Sequence, residues 1–364
     1  MTTSPASDEL EVTVFGPGYG ECLVLHLGGG EWAVVDSCVE PGSRDSVAIG
    51  YLESRGVDVR TAVKRIIVSH WHDDHVRGLA GLVARAQDAV VCVSAAFRSS
   101  EFMDAFVRAD EAGARGEATR VNELGRVFDI VAERQTGPRK SRGPSAVLAQ
   151  RCLYRRPQDE ARPAVELTAL SPSDGTFSVA ARELGRIVQG RRPASFAPND
   201  TAVVLHLKVG AYAALLGSDL EVGTDERRGW LGVLALDPPV EAAAIYKVAH
   251  HGSSTGEHAR IWSDLLVPAA DAIVTPFELG RVRLPTGPDL ERLSAAAGRL
   301  WLTSPARPAR LRRFPSAVER TMREVAREAV AIPTRRGRVT VRMGPHGVMR
   351  EVDGEAMEIL PKAG

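Results

Sequence analysis

Residues 64 to 79 read Lys64-Arg65-Ile66-Ile67-Val68-Ser69-His70-Trp71-His72-Asp73-Asp74-His75-Val76-Arg77-Gly78-Leu79. Three histidines and two aspartates fall within six positions, directly after an apolar β-branched run. Ile66, Ile67 and Val68 read as a buried strand too short for a helix, and Val76, Leu79, Leu82 and Val83 have the spacing of an amphipathic helix. The cluster is therefore expected on a strand-to-helix loop, which can turn His70, His72, Asp74 and His75 toward one point. Neutral imidazoles with carboxylates suit zinc, iron or manganese. A solvated polar turn has no need of three imidazoles.

Working outward, the chain of 364 residues has room for one large domain or two ordinary ones, and its 44% hydrophobic content is that of a soluble globular protein. Met1 to Leu10 is polar, without a basic-then-apolar leader, and no run approaches the roughly 18 apolar residues of a membrane span. A cytoplasmic protein with no membrane segment is expected. Cys22, Cys38, Cys92 and Cys152 are widely spaced with no C-x-x-C pair, which argues against a disulfide scaffold and a thiolate metal site and for reduced, structural thiols. Basic and acidic residues balance at 46 each, so the whole molecule carries no field that announces nucleic acid.

Val12-Thr13-Val14-Phe15, Cys22-Leu23-Val24-Leu25 and Trp32-Ala33-Val34-Val35 are short apolar runs separated by glycines and read as a meander of three antiparallel strands. Gly16-Pro17-Gly18-Tyr19-Gly20 precedes a strand, so it reads as a hairpin turn, since a pyrophosphate-binding loop must open a helix. The third strand ends in Asp36, the kind of carboxylate that orients a metal-binding histidine. Ser43 to Gly56 has helical spacing, with Ser43 or Asp45 as cap. Residues 98 to 130 are charged and helix-like, with Phe102, Phe106, Leu124 and Phe128 too sparse for a separate core, and are expected on the surface. Gly137 to Pro144 is a basic, breaker-rich loop.

Thr201 to Val209 reads as a long strand with His206 packed inside it. Ala211 to Leu216 is its hairpin partner and delivers Gly217-Ser218-Asp219 at the tip, and the strand up to Val248 ends in Ala249-His250-His251-Gly252-Ser253-Ser254. Residues 271 to 276, Pro288 to Ala297 and Leu300 to Thr303 read as strand, helix and strand. From Ala306 to Arg338 there are ten arginines against three glutamates, and residues 338 to 360 close the chain as a hairpin around Gly344-Pro345-His346-Gly347.

His70-x-His72-x-Asp74-His75 resembles the signature of the metallo-β-lactamase-fold hydrolases. The run from Gly16 to Asp36, Asn199 to Leu205, Leu215-Leu216-Gly217-Ser218-Asp219 and Lys247-Val248-Ala249-His250-His251-Gly252-Ser253 resemble the motifs of the ComEC-like branch. Glu21 keeps that branch's carboxylate after the first turn, while Tyr19 departs from its usual glutamine. The resemblance implies an α/β fold, an αββα sandwich over residues 8 to 305; the charged stretch at 98 to 162 reads as a helical insertion in it, and the arginine-rich 306 to 364 as a basic C-terminal appendage that ends in the hairpin. The resemblance also implies two divalent metals, zinc first, with manganese or iron as alternatives. His70 and His72 would hold the first, Asp74 and His75 the second, Asp219 would bridge them, and one of His250 and His251 would complete the second. His251 is favoured as the ligand, because alternation at a strand end lets only one of the pair face the metal, and His250 as a substrate or leaving-group contact.

Two departures bear on the chemistry. Many relatives place another histidine before the bridging aspartate, but none occurs here from 76 to 205, so Asn199 or Asp200 is a candidate for that space and a single-metal enzyme is an alternative. Arg77 stands where the family usually has glycine, and is either a phosphate or carboxylate contact or a helix-surface residue. The implied catalytic residues are Asp74, Asp219 and His250, with Arg77, Asn199 and Ser253 as substrate contacts and Asp36 behind the ligands. The expected function is metal-dependent hydrolysis of a phosphodiester in an anionic substrate, nucleic acid among the candidates. Hydrolysis of a thioester, lactam or other carbonyl substrate is the alternative, and a non-enzymatic metal-binding partner protein the third.

Overall fold

Leu10, Val12 and Val14 alternate with polar residues along the first strand, whereas Cys22 to Leu25 and Trp32 to Val35 are apolar throughout, so that one face of each strand turns to the other sheet and the opposite face to helices. A computed structural model describes residues 4–16, 20–40, 42–95, 117–136, 143–188, 198–306 and 337–360, with 318, 320 and 321 besides. Strands β1 (Leu10–Phe15), β2 (Cys22–His26) and β3 (Trp32–Val35) form the expected antiparallel meander. Helices α1 (Val47–Ser54) and α2 (Val59–Ala62) lead into β4 (Val63–Val68), which pairs parallel with β3. Short helices α3 (Asp73–Val76) and α4 (Leu79–Arg85), strand β5 (Val90–Ser94), helix α5 (Glu117–Thr136) and strand β6 (Ser145–Val147) complete this half.

The second half opens with β7 (Cys152–Arg156), β8 (Val165–Ala169), α6 (Asp174–Val188) and the hairpin β9 (Leu205–Val209) and β10 (Tyr212–Leu216). After α7 (Gly229–Ala235), β11 (Ala243–Lys247) and β12 (Leu266–Val274) pair in parallel beside β10. A small ribbon, β13 (Phe277–Leu279) and β14 (Val282–Leu284), helix α8 (Gly287–Ala296) and strands β15 (Arg299–Leu302), β16 (Gly337–Gly344), β17 (Gly347–Gly354) and β18 (Met357–Ile359) follow. The two large sheets run β17-β16-β1-β2-β3-β4-β5-β6 and β18-β15-β12-β11-β10-β9-β8-β7.

Three apolar clusters fill the layers between and outside these sheets. Leu10, Val12 and Val14 of β1 meet Leu205, Leu207 and Val209 of β9 between the sheets. Ile66 and Val68 of β4 face the other way, onto Leu52, Leu82 and Leu124 of the helices. Trp230, Val233 and Leu293 cover the outer side of the second sheet against Val274 and Leu300. The result is the expected αββα sandwich.

Several local expectations change. The helix after the His70-to-His75 loop breaks at Gly78, whose φ of 77° lies in the left-handed region and where a Cβ would come within 2.7 Å of Val39. The motif's last residues thus sit on a separate helical turn, α3. Ser46, not Ser43 or Asp45, caps α1 by accepting from Ala48 N–H. The described part of the insertion is not confined to the surface: Leu124, Val127 and Val131 of α5 are buried in the first core, and Glu123 accepts the Ala80 N–H at the start of α4.

The closing hairpin forms where expected and is built into the sandwich. β16 pairs along the whole of β1, and Arg342 reaches the buried Glu11 carboxylate at 2.6 Å. β18 joins the other sheet beside β15. Tyr19, residues 98–116 of the insertion, most of the loop at 137–144 and nearly all of the arginine-rich stretch between 306 and 338 lie outside the described residues. No described helix is long and apolar enough to cross a membrane.

Candidate metal centre

The ligand-type side chains converge where parallel strands end, the end at which α/β sheets expose functional groups. β3 delivers Asp36, β4 delivers His70 and His72, and α3 delivers Asp74 and His75. From the other sheet β10 delivers Asp219, and the turn after β11 delivers His251. Among the described residues, Asp74, His75, Asp219 and His251 form one group with donor atoms all within 4.8 Å of one another, and His70, His72 and Asp219 form another.

In the first of these groups His75 Nε2 lies 3.5 Å from Asp74 Oδ2 and 3.4 Å from Asp219 Oδ2. His251 Nε2 lies 3.4 and 3.3 Å from the same two oxygens. Two donors each about 2.1 Å from a tetrahedral ion stand about 3.4 Å apart, so all four spacings are those of tetrahedral ligand pairs. Both imidazole Nε2 atoms are buried and make no hydrogen bond. The residues therefore fit a divalent metal. In the second group His70 Nε2 lies 3.8 Å from Asp219 Oδ2 and 3.1 Å from His72 Nδ1, and His72 is only partly buried.

The lone pairs face inward because the other ring nitrogens are occupied. His75 Nδ1 donates to Asp36 Oδ2 at 2.8 Å, and His251 Nδ1 donates to the Thr275 carbonyl at 2.9 Å. Asp36 also accepts from the Ser69 N–H and hydroxyl at 2.7 and 2.6 Å, and the same hydroxyl meets His70 Nδ1 at 3.0 Å. Asp36 therefore holds His75 directly, and His70 through Ser69, from behind. Four of the seven non-glycine residues with positive φ among those described, Asp36, Ser218, His250 and His251, are at this centre. Strained backbone of this kind persists where surrounding structure enforces it, and it clusters at functional sites.

Burial pulls both ways on these charges. It works to lower His75 and His251, but Asp74 and Asp219 outweigh it and push His251 up to about 10 and His75 well above the usual imidazole value. Burial works to raise Asp219, and the flanking His251 and His75 hold it well below the carboxylate range. Asp74 is likewise lowered, chiefly by His75 against its own burial. His70 is driven down by burial and by the neighbouring His75 and His72.

His250 stands apart from both groups. Its Nε2 is 3.3 Å from Asn199 Nδ2, its Nδ1 3.0 Å from Thr255 Oγ1, and Glu221 lies 3.8 Å away. The pair is separated by consecutive left-handed residues and not by strand alternation, since β11 has already ended at Lys247. Asn199 is thus brought to His250 and not to His70 and His72, and its Oδ1 is buried without a partner. Ser253 lies on the same rim, bonded to Thr255. Arg77 bends back onto Asp73, Nε to Oδ2 at 2.6 Å, the partner four residues away on the same turn. His206 is packed within its strand and bonds the Glu241 carbonyl at 2.8 Å. Thr275, Ser69 and Glu221 carry no motif that marks them. Only their positions beside motif residues, at strand ends, point to them afterwards.

Residues 15–144 match the family model described as the metallo-beta-lactamase superfamily. The fold is the metallo-beta-lactamase fold. Solved structures to which the chain is similar include the metallo-beta-lactamase fold protein YhfI from Bacillus subtilis, 14% identical, covering 81% of this chain and 95% of that one with a TM-score of 0.42. The metallo-beta-lactamase SMB-1 is 13% identical, covering 69% and 82% with a TM-score of 0.34. AidC, a dizinc quorum-quenching lactonase, is 13% identical, covering 54% and 55% with a TM-score of 0.30. A comparison with curated proteins finds no match. Identities this low say nothing of substrate. Within the metallo-beta-lactamase fold, the matched segment contains the His70-to-His75 loop, and the candidate ligands Asp219 and His251 come from beyond it.

Proposed function

We propose that the protein is a metal-dependent hydrolase of phosphodiester bonds, acting on an anionic substrate, either a nucleic acid or a small phosphodiester. The observation that carries the reading is that two ligand groups share Asp219. Two divalent ions, zinc first among the candidates, would lower the pKa of a bound water and clamp the attacking and leaving oxygens of an in-line displacement. The similarity of the Asp219 and His250-to-Ser253 segments to the ComEC-like branch supports the phosphodiester class.

The chain's own residues do the remaining work. Asp36 and Thr275 hold the tautomers that point Nε2 of His75 and His251 inward. His250, kept below its usual value first by burial, stays neutral and offers a hydrogen bond to the substrate in exchange for one of its bonds to Asn199 or Thr255. Asn199 and Ser253 line the same rim. Arg77 is paired with Asp73, and a substrate contact through the same nitrogens would compete with that pair.

The test is elemental analysis of the purified protein with a panel of single-stranded DNA, double-stranded DNA, RNA and bis-p-nitrophenyl phosphate, alongside thioester and lactam substrates. Cleavage of a phosphodiester that stops with chelator and returns with metal is the expected result. A metal-loaded protein that opens only the carbonyl substrates is the other class of hydrolase, and one that hydrolyses nothing is a metal-binding partner protein.

A further inference from the structure

Lys247 is fully buried, and an isolated buried ammonium is costly unless its surroundings give it work. Its Nζ lies 2.5 Å from Glu21 Oε2, donates to the Ser218 carbonyl at 3.1 Å and stands 4.0 Å from Asp219 Oδ1. Each neighbour belongs to the metal centre's frame. Glu21 accepts a hydrogen bond from the hydroxyl of Thr275, whose carbonyl orients His251, and its N–H donates to the Asp74 carbonyl at 2.8 Å. The Ser218 carbonyl also accepts the His250 N–H at 2.9 Å, and Gly217 N–H donates to the Lys247 carbonyl at 2.9 Å. A side chain at Gly217 would meet Ala249 and the Lys247 carbonyl at 2.9 Å, so the two turns touch backbone to backbone. Lys247 thus joins the turn that carries Asp219 to the turn that carries His251.

The two oxygens of Asp219 are used unequally. Oδ2 faces His70, His75 and His251 at 3.8, 3.4 and 3.3 Å, whereas Oδ1 makes no hydrogen bond and faces Lys247. We propose that Lys247, anchored by Glu21, is a positioning residue that engages Asp219 Oδ1 and the Ser218 carbonyl so that Oδ2 alone is presented to both ligand groups. The inference rests on the metal-binding half of the proposed function and not on the substrate class.

The test uses the full chain with cobalt(II) in place of the native metal. Glu21→Gln/Lys247→Met removes both charges at similar volume. With wild-type circular dichroism and unfolding midpoint, it should bind cobalt about tenfold or more weakly at both groups, with a changed absorption spectrum and altered magnetic coupling between the two ions. A folded double variant with wild-type affinity and spectrum would show a purely structural ion pair and overturn the proposal. Should the double variant not fold, Lys247→Arg carries the test, because it keeps the charge but cannot place a nitrogen where Nζ stands. A shifted spectrum at unchanged unfolding midpoint supports the clamp, and an unshifted one with unchanged affinity overturns it. Wild-type protein that takes up no cobalt removes both this proposal and the hydrolase reading. Wild-type protein that takes it up but cleaves no phosphodiester removes only the substrate class.

Discussion

Around Asp219 the deeper group adds a second carboxylate, Asp74, and two buried imidazoles, while the outer group adds His70 and the partly exposed His72 and no carboxylate of its own. The imidazoles respond accordingly. His75 and His251 are raised because Asp74 and Asp219 overcome burial, and His70 is lowered because burial is joined by neighbouring histidines. A cation entering the deeper group displaces the protons of His75 and His251 and then meets two negative charges and four donors. One entering the outer group afterwards meets a carboxylate already shared. The difference teaches that these groups should not fill alike: a first ion should enter the deeper group, and a second should be held more loosely.

The largest effect should come from the residue the groups have in common. Asp219→Ala should empty both, taking metal per chain toward zero and hydrolysis with it. Elemental analysis that finds wild-type metal would break the comparison at its root. Next come the unshared ligands. His72→Ala should leave the tightly held ion in place and lose the loose one, whereas His251→Ala should weaken the tight one, read by titrating metal against a chelator of known affinity. Equal losses would mean that the groups are equivalent. Smaller again is His250→Ala, which should keep full metal content and lower turnover by about tenfold, the worth of one hydrogen bond. Metal loss in that variant would move His250 into a ligand group.

How much of this could be read from the chain follows from how local each signal is. His70, His72, Asp74 and His75 are packed into six residues, and Asp219 and His251 come at the tips of recognisable strands. The alternation of Leu10, Val12 and Val14 is enough to build a sheet face. What could not be read depends on contacts across the fold. Nothing near Thr275 says that its carbonyl will orient His251, and Lys247 meets Glu21 only after the two sheets pack. Ser46 displaces Ser43 and Asp45 as the cap because α1 starts where Val47 N–H reaches the Cys38 carbonyl, a tertiary bond. Arg77 alone reads equally as a substrate contact or a helix-surface residue, and in the fold the i,i+4 spacing from Asp73 gives it a partner on its own turn.

The smallest effect sharpens the comparison from outside the metal centre, at a buried histidine with no carboxylate cluster to raise it. Burial lowers His26 to about 4. Geometry agrees, since Nδ1 donates to the Glu9 carbonyl at 2.9 Å while Nε2 accepts from the Gly30 N–H at 3.3 Å, leaving no place for a second proton. Between about 4 and 6.5 the unfolded chain therefore binds this proton and the folded chain does not. The stability His26 protects is complete above pH 6.5 and is lost as pH falls toward 4, amounting to about 2 kcal/mol at pH 5. His26→Gln, which can keep both hydrogen bonds and cannot titrate, should remove that share of the acid sensitivity. Urea unfolding of both proteins at pH 7 and pH 5 measures it, with other titrating groups cancelling between them. An identical loss in the two would mean that burial alone does not keep an imidazole of this fold neutral, and the contrast drawn between His70 and the raised pair would lose its physical basis.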